Sequence, residues 1–299
     1  MYRIIAIFSI FLLLFASCRE DRQEYGFVRF VFEHQWNGEA FMADDATGYT
    51  NRAGNDLRFT RFQYIISDLT IGAGFGQIRI GSPEAHFING DTTILVTYQI
   101  PVGDYNLISF IFGLDERRNQ PNMFPNLTPL MRWPGHQMGG GGGEGYHYMM
   151  LDGRWMNSAE PNPPTFRLHL GALEELFHME ETVVEWGVGP YPDYEPIPVR
   201  TRIDSVFARY HHFLHVQVPR IFTVEPNTIT TIEPIIMNVE QWLESPLLWD
   251  FNAMGVECTM PRRHALDSLA TNGMVGLFRG AQITRGRFEP VFRRFTVFR

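Results

Sequence analysis

The stretch GFVRFVFEHQWNG, residues 26–38, decides the fold class. Val28, Phe30, Phe32 and His34 alternate with Phe27, Arg29, Val31 and Glu33. A period of two divides side chains between the two faces of a strand, whereas a helix would repeat near 3.6. The same alternation recurs in LRFTRFQYIISDLTI (57–71), GQIRIGS (76–82), AHFI (85–88), TTILVTYQIP (92–101) and DYNLISFIFGLD (104–115). It continues in GYHYMMLDG (145–153), TFRLHLGAL (165–173), FLHVQVPRIFTV (213–224) and NTITTIEPIIMNVEQW (227–242). Gly, Pro, Asn or Asp bounds each run, and no strand-helix alternation intervenes. The pattern predicts an all-β chain, an antiparallel β-sandwich with long loops and a few short helices near the C-terminus.

Helix signals are few. PRRHALDSLATNG (261–273) has Pro261 as a starter and Gly273 as a stop, and a short helical turn is expected in LGALEELFHMEE (170–181). Residues 113–145 and 186–200 are rich in Pro, Gly and Asn and read as long irregular segments, which in a compact domain tend to carry function.

The chain opens MYRIIAIFSIFLLLFASC. One Arg, an apolar run from Ile4 to Phe15 and the small residues Ala16 and Ser17 before Cys18 read as a secretory signal rather than a spanning helix. Cys18 stands where a bacterial lipoprotein signal is cut and the new N-terminal Cys acylated, with Phe15 at the place usually held by Leu. The organisation expected is a signal peptide over 1–17, a linker over 18–25, one domain over 26–280, and a tail over 281–299 that could form a final strand. Acylation would anchor the protein to the membrane without spanning it. Glu20 and Asp21 point to the outer membrane, facing the periplasm or the cell surface.

About 280 residues after the signal suffice for a core without disulfide staples. Only Cys258 would remain as a thiol, so an intrachain disulfide and a multi-Cys zinc site are excluded. Acidic residues outnumber basic ones, 33 to 25, and the basic residues are scattered, which argues against nucleic acid as a partner. The sequence contains no Lys, so Schiff-base, Walker-type and lysine general-base chemistry are excluded. No G-x-S-x-G or H-E-x-x-H motif occurs, and the glycine run at 139–143 lacks the Lys-Ser/Thr of a phosphate loop.

Ten His stand out, and His34, His147, His169 and His215 fall inside strand patterns. Neutral imidazole is a common copper and zinc ligand, although any single strand His is more often a hydrogen-bonded structural residue. Met131, Met138, Met149 and Met150 offer soft thioethers, with core filler as the ordinary reading. His211 and His212, being adjacent, would point to opposite faces of a strand and make a poor chelating pair. A different reading takes Trp186, Tyr191 and Tyr194 as stacking faces of a surface lipoprotein that binds carbohydrate, peptide or protein without a metal.

Seven segments in order resemble the MbnP-like copper-binding family, which is related to methanobactin-associated and copper-repressible surface proteins, and in particular its Bacteroidetes-type lipoprotein branch. They are FVFEHQWNG (30–38), FTRFQYIISDLTI (59–71), VGDYNLISFIFGLD (102–115), MRW (131–133) with GYHYMMLDG (145–153), FRLHLG (166–171), MNVEQWLESPLLWDF (237–251) and LATNGMVGLF (269–278). The resemblance implies a β-sandwich that binds one copper ion in the cell envelope for uptake, storage or delivery, with no catalysis of its own. In characterised members, histidines and a tryptophan oxidised to kynurenine form the site, and a dihaem partner of the MbnH or cytochrome c peroxidase type makes the modification. Carried over, His34 and His169 are the expected imidazole ligands, Trp133 the oxidisable aromatic and His147 a weaker candidate. Two departures stand out: Gly135 followed by His136 where the family often has a second Trp, and the long glycine run. Imidazole ligation would make copper affinity fall as pH drops through the imidazole range.

Overall fold

Tyr25–Trp36 forms the strand β1, and its alternation is the expected one. Val28, Phe30 and Phe32 are fully buried, whereas Tyr25 and Phe27 face outward. The computed structural model describes residues 23–73, 76–79, 85–90, 94–127, 131–132, 145–185, 197–254, 263–286 and 291–298.

In the first sheet, β1 pairs antiparallel with β2 (Glu39–Ala40) and β7 (Ile94–Pro101). It pairs parallel with β14 (Ile229–Thr231) and β15 (Ile235–Asn238). These parallel contacts are possible because β14 and β15 arrive after a long excursion through the second sheet. That sheet runs β10 (Thr165–Gly171), β9 (His147–Trp155), β4 (Asp56–Ala73), β8 (Gly103–Phe112), β13 (Leu214–Val224) and β16 (Gln282–Arg285). The short strands β3 (Gly48–Thr50), β5 (Gly76–Arg79) and β6 (Ala85–Asn89) also pair with β4. Register shifts at Phe59/Arg61 and Ser67/Thr70 bend β4, because a bulge adds twist, and the sheet curls into an antiparallel half-barrel. β11 (Leu173–Glu185), β12 (Ile197–Tyr210) and β17 (Val291–Phe298) form a third, three-stranded sheet.

The first two sheets face each other across an aromatic core. Phe32 meets Phe110 edge-on, Phe59 meets Phe166, and Tyr64 stacks on Phe112. The mostly-β class and the short helices near the C-terminus agree with the expectation: α1 (Gln241–Glu244), α2 (Phe251–Met254) and α3 (Arg263–Asn272). Among the described residues no helix is long and apolar enough to cross a membrane.

Several local readings are corrected. The turn expected in LGALEELFHMEE is strand, since Leu173–Glu185 pairs with β12 along its whole length. Cross-strand pairing overrides the helical preference of Leu-Glu-Glu-Leu. Residues 197–200, expected to be irregular, begin β12, and residues 186–196 lie outside the described residues. NTITTIEPIIMNVEQW is two short strands and the start of α1, broken at Pro234, which has no N–H for a ladder.

The amides of three Asn fasten the segment between α1 and α2. Asn272 Nδ2 donates to Trp242 O at 2.9 Å and to Leu247 O at 2.7 Å, while its Oδ1 accepts from Leu247 N at 2.9 Å. Asn51 Nδ2 donates to Trp249 O at 2.8 Å, and Asn55 Oδ1 accepts from Phe251 N at 3.0 Å. These bonds explain the Asn in LATNG. Asn272→Ala should lower unfolding stability by about 2–4 kcal/mol, because three backbone groups beside a fully buried amide lose their partner. Urea unfolding checks this, and a loss below about 1 kcal/mol would show that water replaces the amide.

Candidate metal centre

The β9–β10 hairpin and β4 share one register, and parity along it sorts the side chains. Tyr64, Met149 and Leu170 are cross-strand neighbours, all fully buried, on the face toward the first sheet. Gln63, Met150 and His169 form the next row, on the opposite face. Arg61, Asp152 and Arg167 form a third row on that same outer face. A register shift at Leu170/Gly171 then sets His147 opposite Gly171. It brings the His147 and His169 rings edge to face, with centroids 4.8 Å apart.

Both rings are buried, at 4% exposure each. His169 Nε2–H donates to Asp152 Oδ1 at 2.7 Å, and Arg61 Nε donates to Asp152 Oδ2 at 2.8 Å, joined by Arg61 Nη2. Burial alone would raise the Asp152 carboxyl, but the bond from His169 and the Arg61 guanidinium outweigh it and hold the group below its ordinary range. In the neutral His169 ring, the carboxylate on Nε2 sets the tautomer that leaves the lone pair on Nδ1. A carboxylate on the outer nitrogen is also how metal-ligating imidazoles are usually oriented. Burial first, then the neighbouring His169 and Arg61 charges, push His147 well below its ordinary value and favour its neutral, ligand-competent form.

His34 lies elsewhere. It projects from β1 into the core between the sheets, edge-on to Phe62 and Tyr64, and its Nε2 is 2.9 Å from Tyr64 Oη. Phe62 and Tyr64 are on the inner face of β4, whereas His169 is on the outer face of the same sheet. The geometry therefore brings His147 and His169 together and leaves His34 apart. Burial lowers His34 to about 4, partly offset by a hydrogen bond with the Gly90 backbone. The unfolded ring takes its proton near 6.5 and the folded one only near 4, so between those values the unfolded chain binds more protons. Stability carried by this group is complete above pH 6.5 and falls as pH drops toward 4, by on the order of 3 kcal/mol. Denaturant titrations at several pH values should show a shallower acid slope in His34→Gln than in the wild type, and equal slopes would refute the assignment.

Trp133, His136, Met138, Cys18 and Cys258 lie outside the described residues, as do Trp186, Tyr191 and Tyr194. The chain before Trp133 is nevertheless placed: Arg132 bridges antiparallel to Tyr146, the residue before His147. The other His have structural partners or open positions. His86 bonds Tyr98, and His211 is 3.4 Å from the Tyr148 hydroxyl. His212 donates to Gly171 O or to Asp267 through its two nitrogens. His215 and His264 are exposed, and His178 is in β11. Sequence reading passed over Asp152 and Arg61. Their signal was present in MLDG and in FTRFQ, but only the register aligns them with His169.

Among the described residues, no three His, Cys, Asp or Glu side chains gather as a metal-binding group. The donor set is two imidazoles, with Asp152 occupied in orienting one of them. Two nitrogens at about 2.0–2.1 Å from one ion are at most about 4 Å apart, a limit that rings at this separation can meet. A structural zinc site would want four strong donors, whereas two imidazoles with a weaker donor suit copper. The residues present fit a copper ion in donor type.

A groove of about 930 Å³ lined by Trp155, Glu160, Asn162 and Phe251 gives no support to a stacking site, because Trp155 and Phe251 are buried. The family model described as MbnP matches residues 25–260. Comparison with curated proteins and with solved structures gives no match.

Proposed function

The chain belongs to the MbnP family, and from that premise we propose that it is a cell-envelope protein that binds a single copper ion at a centre built on His147 and His169. Membership makes it a copper-associated protein. The observation that carries the specific assignment is the pair of buried rings 4.8 Å apart, with Asp152 on the outer nitrogen of one. We assign His34 to the Tyr64 contact in the core rather than to the centre.

Each neighbour has a task. Asp152 fixes the His169 ring and its tautomer, and Arg61 keeps the Asp152 carboxylate ionised and aimed. Burial keeps His147 neutral, so no proton has to leave it near neutral pH. Copper, when bound, would be cargo for uptake, storage or delivery, with no catalysis by this chain. The family resemblance assigns Trp133 as the further donor after oxidation to kynurenine by a dihaem partner of the MbnH type. The bridge from Arg132 to Tyr146 supports that role, because it pairs the residue before Trp133 with the residue before His147. The same reading has Cys18 acylated and holding the protein on the outer membrane.

The test is metal analysis of protein isolated from its native envelope, with peptide mass spectrometry across Trp133. One copper per chain and a kynurenine mass at Trp133 are expected. Failure to take up copper in either oxidation state would sink the reading. Cys18→Ala should move the protein from the membrane to the soluble envelope fraction.

A further inference from the structure

We propose that Met150 supplies a soft thioether donor to the His147–His169 centre. This rests on the copper reading above and adds a further donor to it. Two adjacent methionines of β9 have opposite fates. Met149 pairs with Tyr64 and Leu170 on the inner face and fills the core. Met150 pairs directly with His169 on one side and with Gln63 on the other, on the face that carries both imidazoles. Cβ atoms of directly opposed residues are about 4.5–5.5 Å apart, within reach of a long, flexible thioether chain. Met150 is only 1% exposed, so its sulfur is enclosed with the rings rather than turned to solvent.

The surroundings favour a low charge. The donors are neutral: two imidazoles and a thioether, and the neighbouring Gln63 Oε1 is a buried carbonyl without a hydrogen-bond partner among the described residues. Asp152, the carboxylate bonded to His169, is paired with Arg61, so its charge is already engaged. Met131, next to Arg132 in the bridge to Tyr146, is fully buried. A buried divalent ion among neutral donors costs far more desolvation than a monovalent one. Thioether sulfur also selects copper in its lower oxidation state.

The experiment uses the full chain with Cys258→Ser, so that the thiol does not compete for copper. Cu(I) affinity is read anaerobically by competition with a chromophoric chelator, and Cu(II) affinity separately, for wild type, Met150→Leu and Met149→Leu. Leu for Met nearly conserves volume, so both variants should fold. Met150→Leu is expected to weaken Cu(I) binding on the order of tenfold or more, a size that loss of an outer-shell partner already produces at metal sites. Cu(II) binding should be little changed, Met149→Leu should alter neither, and copper–sulfur scattering in X-ray absorption of the Cu(I) form should vanish in Met150→Leu. Equal Cu(I) affinities in wild type and Met150→Leu, with the scattering unchanged, would overturn the role of Met150 and leave the imidazole centre standing. A wild-type chain that binds neither ion would overturn both.

Discussion

His169→Gln is expected to weaken copper binding by more than about a hundredfold while leaving the folded chain intact. The argument separates the two jobs of the imidazole. Its Nε2–H holds Asp152 at 2.7 Å, a bond that a glutamine amide can imitate, so the Arg61–Asp152 pair keeps its partner. Its Nδ1 lone pair has no counterpart of similar donor strength in glutamine. Asp152→Asn is the graded companion: the ring stays but loses its orienting carboxylate, and affinity should fall by about 10–100-fold. The order wild type, Asp152→Asn, His169→Gln, read by chelator competition with thermal melting as the control for folding, checks the assignment. Copper held at full stoichiometry and wild-type affinity by His169→Gln would remove this centre from consideration.

Strand alternation was legible residue by residue, which is why the mostly-β architecture could be read from runs such as 26–38 and 57–71. Partnership was not. The parity of GYHYMMLDG shows that Met149 and Met150 face apart, but which of them faces a histidine depends on the register with Thr165–Gly171. His34 and His169 look equivalent as strand histidines. What separates them is that β1 belongs to the other sheet and aims its imidazole at Tyr64. His147 rises from a weak candidate to a member of the pair through one register shift, an irregularity that periodicity cannot foretell. The helical look of Leu173–Glu185 failed because pairing with β12 overrides the local preference of its residues.

The second large effect concerns Arg118, which ties the segment after β8 to the sheet and, through its neighbour, to the start of the strand that carries His147. It is 1% exposed, with Nη2 donating to Asp68 Oδ1 at 2.9 Å and Nη1 to Asp115 Oδ2 at 2.6 Å. Asp68 sits at a positive φ of 52° inside the register shift of β4, so the Arg also braces a strained position. The next residue, Asn119, accepts from Tyr146 N at 2.8 Å through Oδ1, immediately before His147. Gly145 is required beside it, because a Cβ there would lie 2.1 Å from that oxygen at a φ of +114°. Removing one member of a buried ion pair costs about 3–5 kcal/mol. Asp68 and Asp115 keep some water, at 22% and 26% side-chain exposure, which places Arg118→Met near the lower end, at about 3 kcal/mol. Urea unfolding reads that loss, and amide exchange at Tyr146 and His147 should accelerate with it. Adding Asp68→Asn and Asp115→Asn should restore part of the stability, because no charge is then left facing its own kind. If Arg118→Met costs less than about 1 kcal/mol, or if exchange at Tyr146 is unchanged, the segment is held by its packing and Arg118 does not organise the approach to the centre.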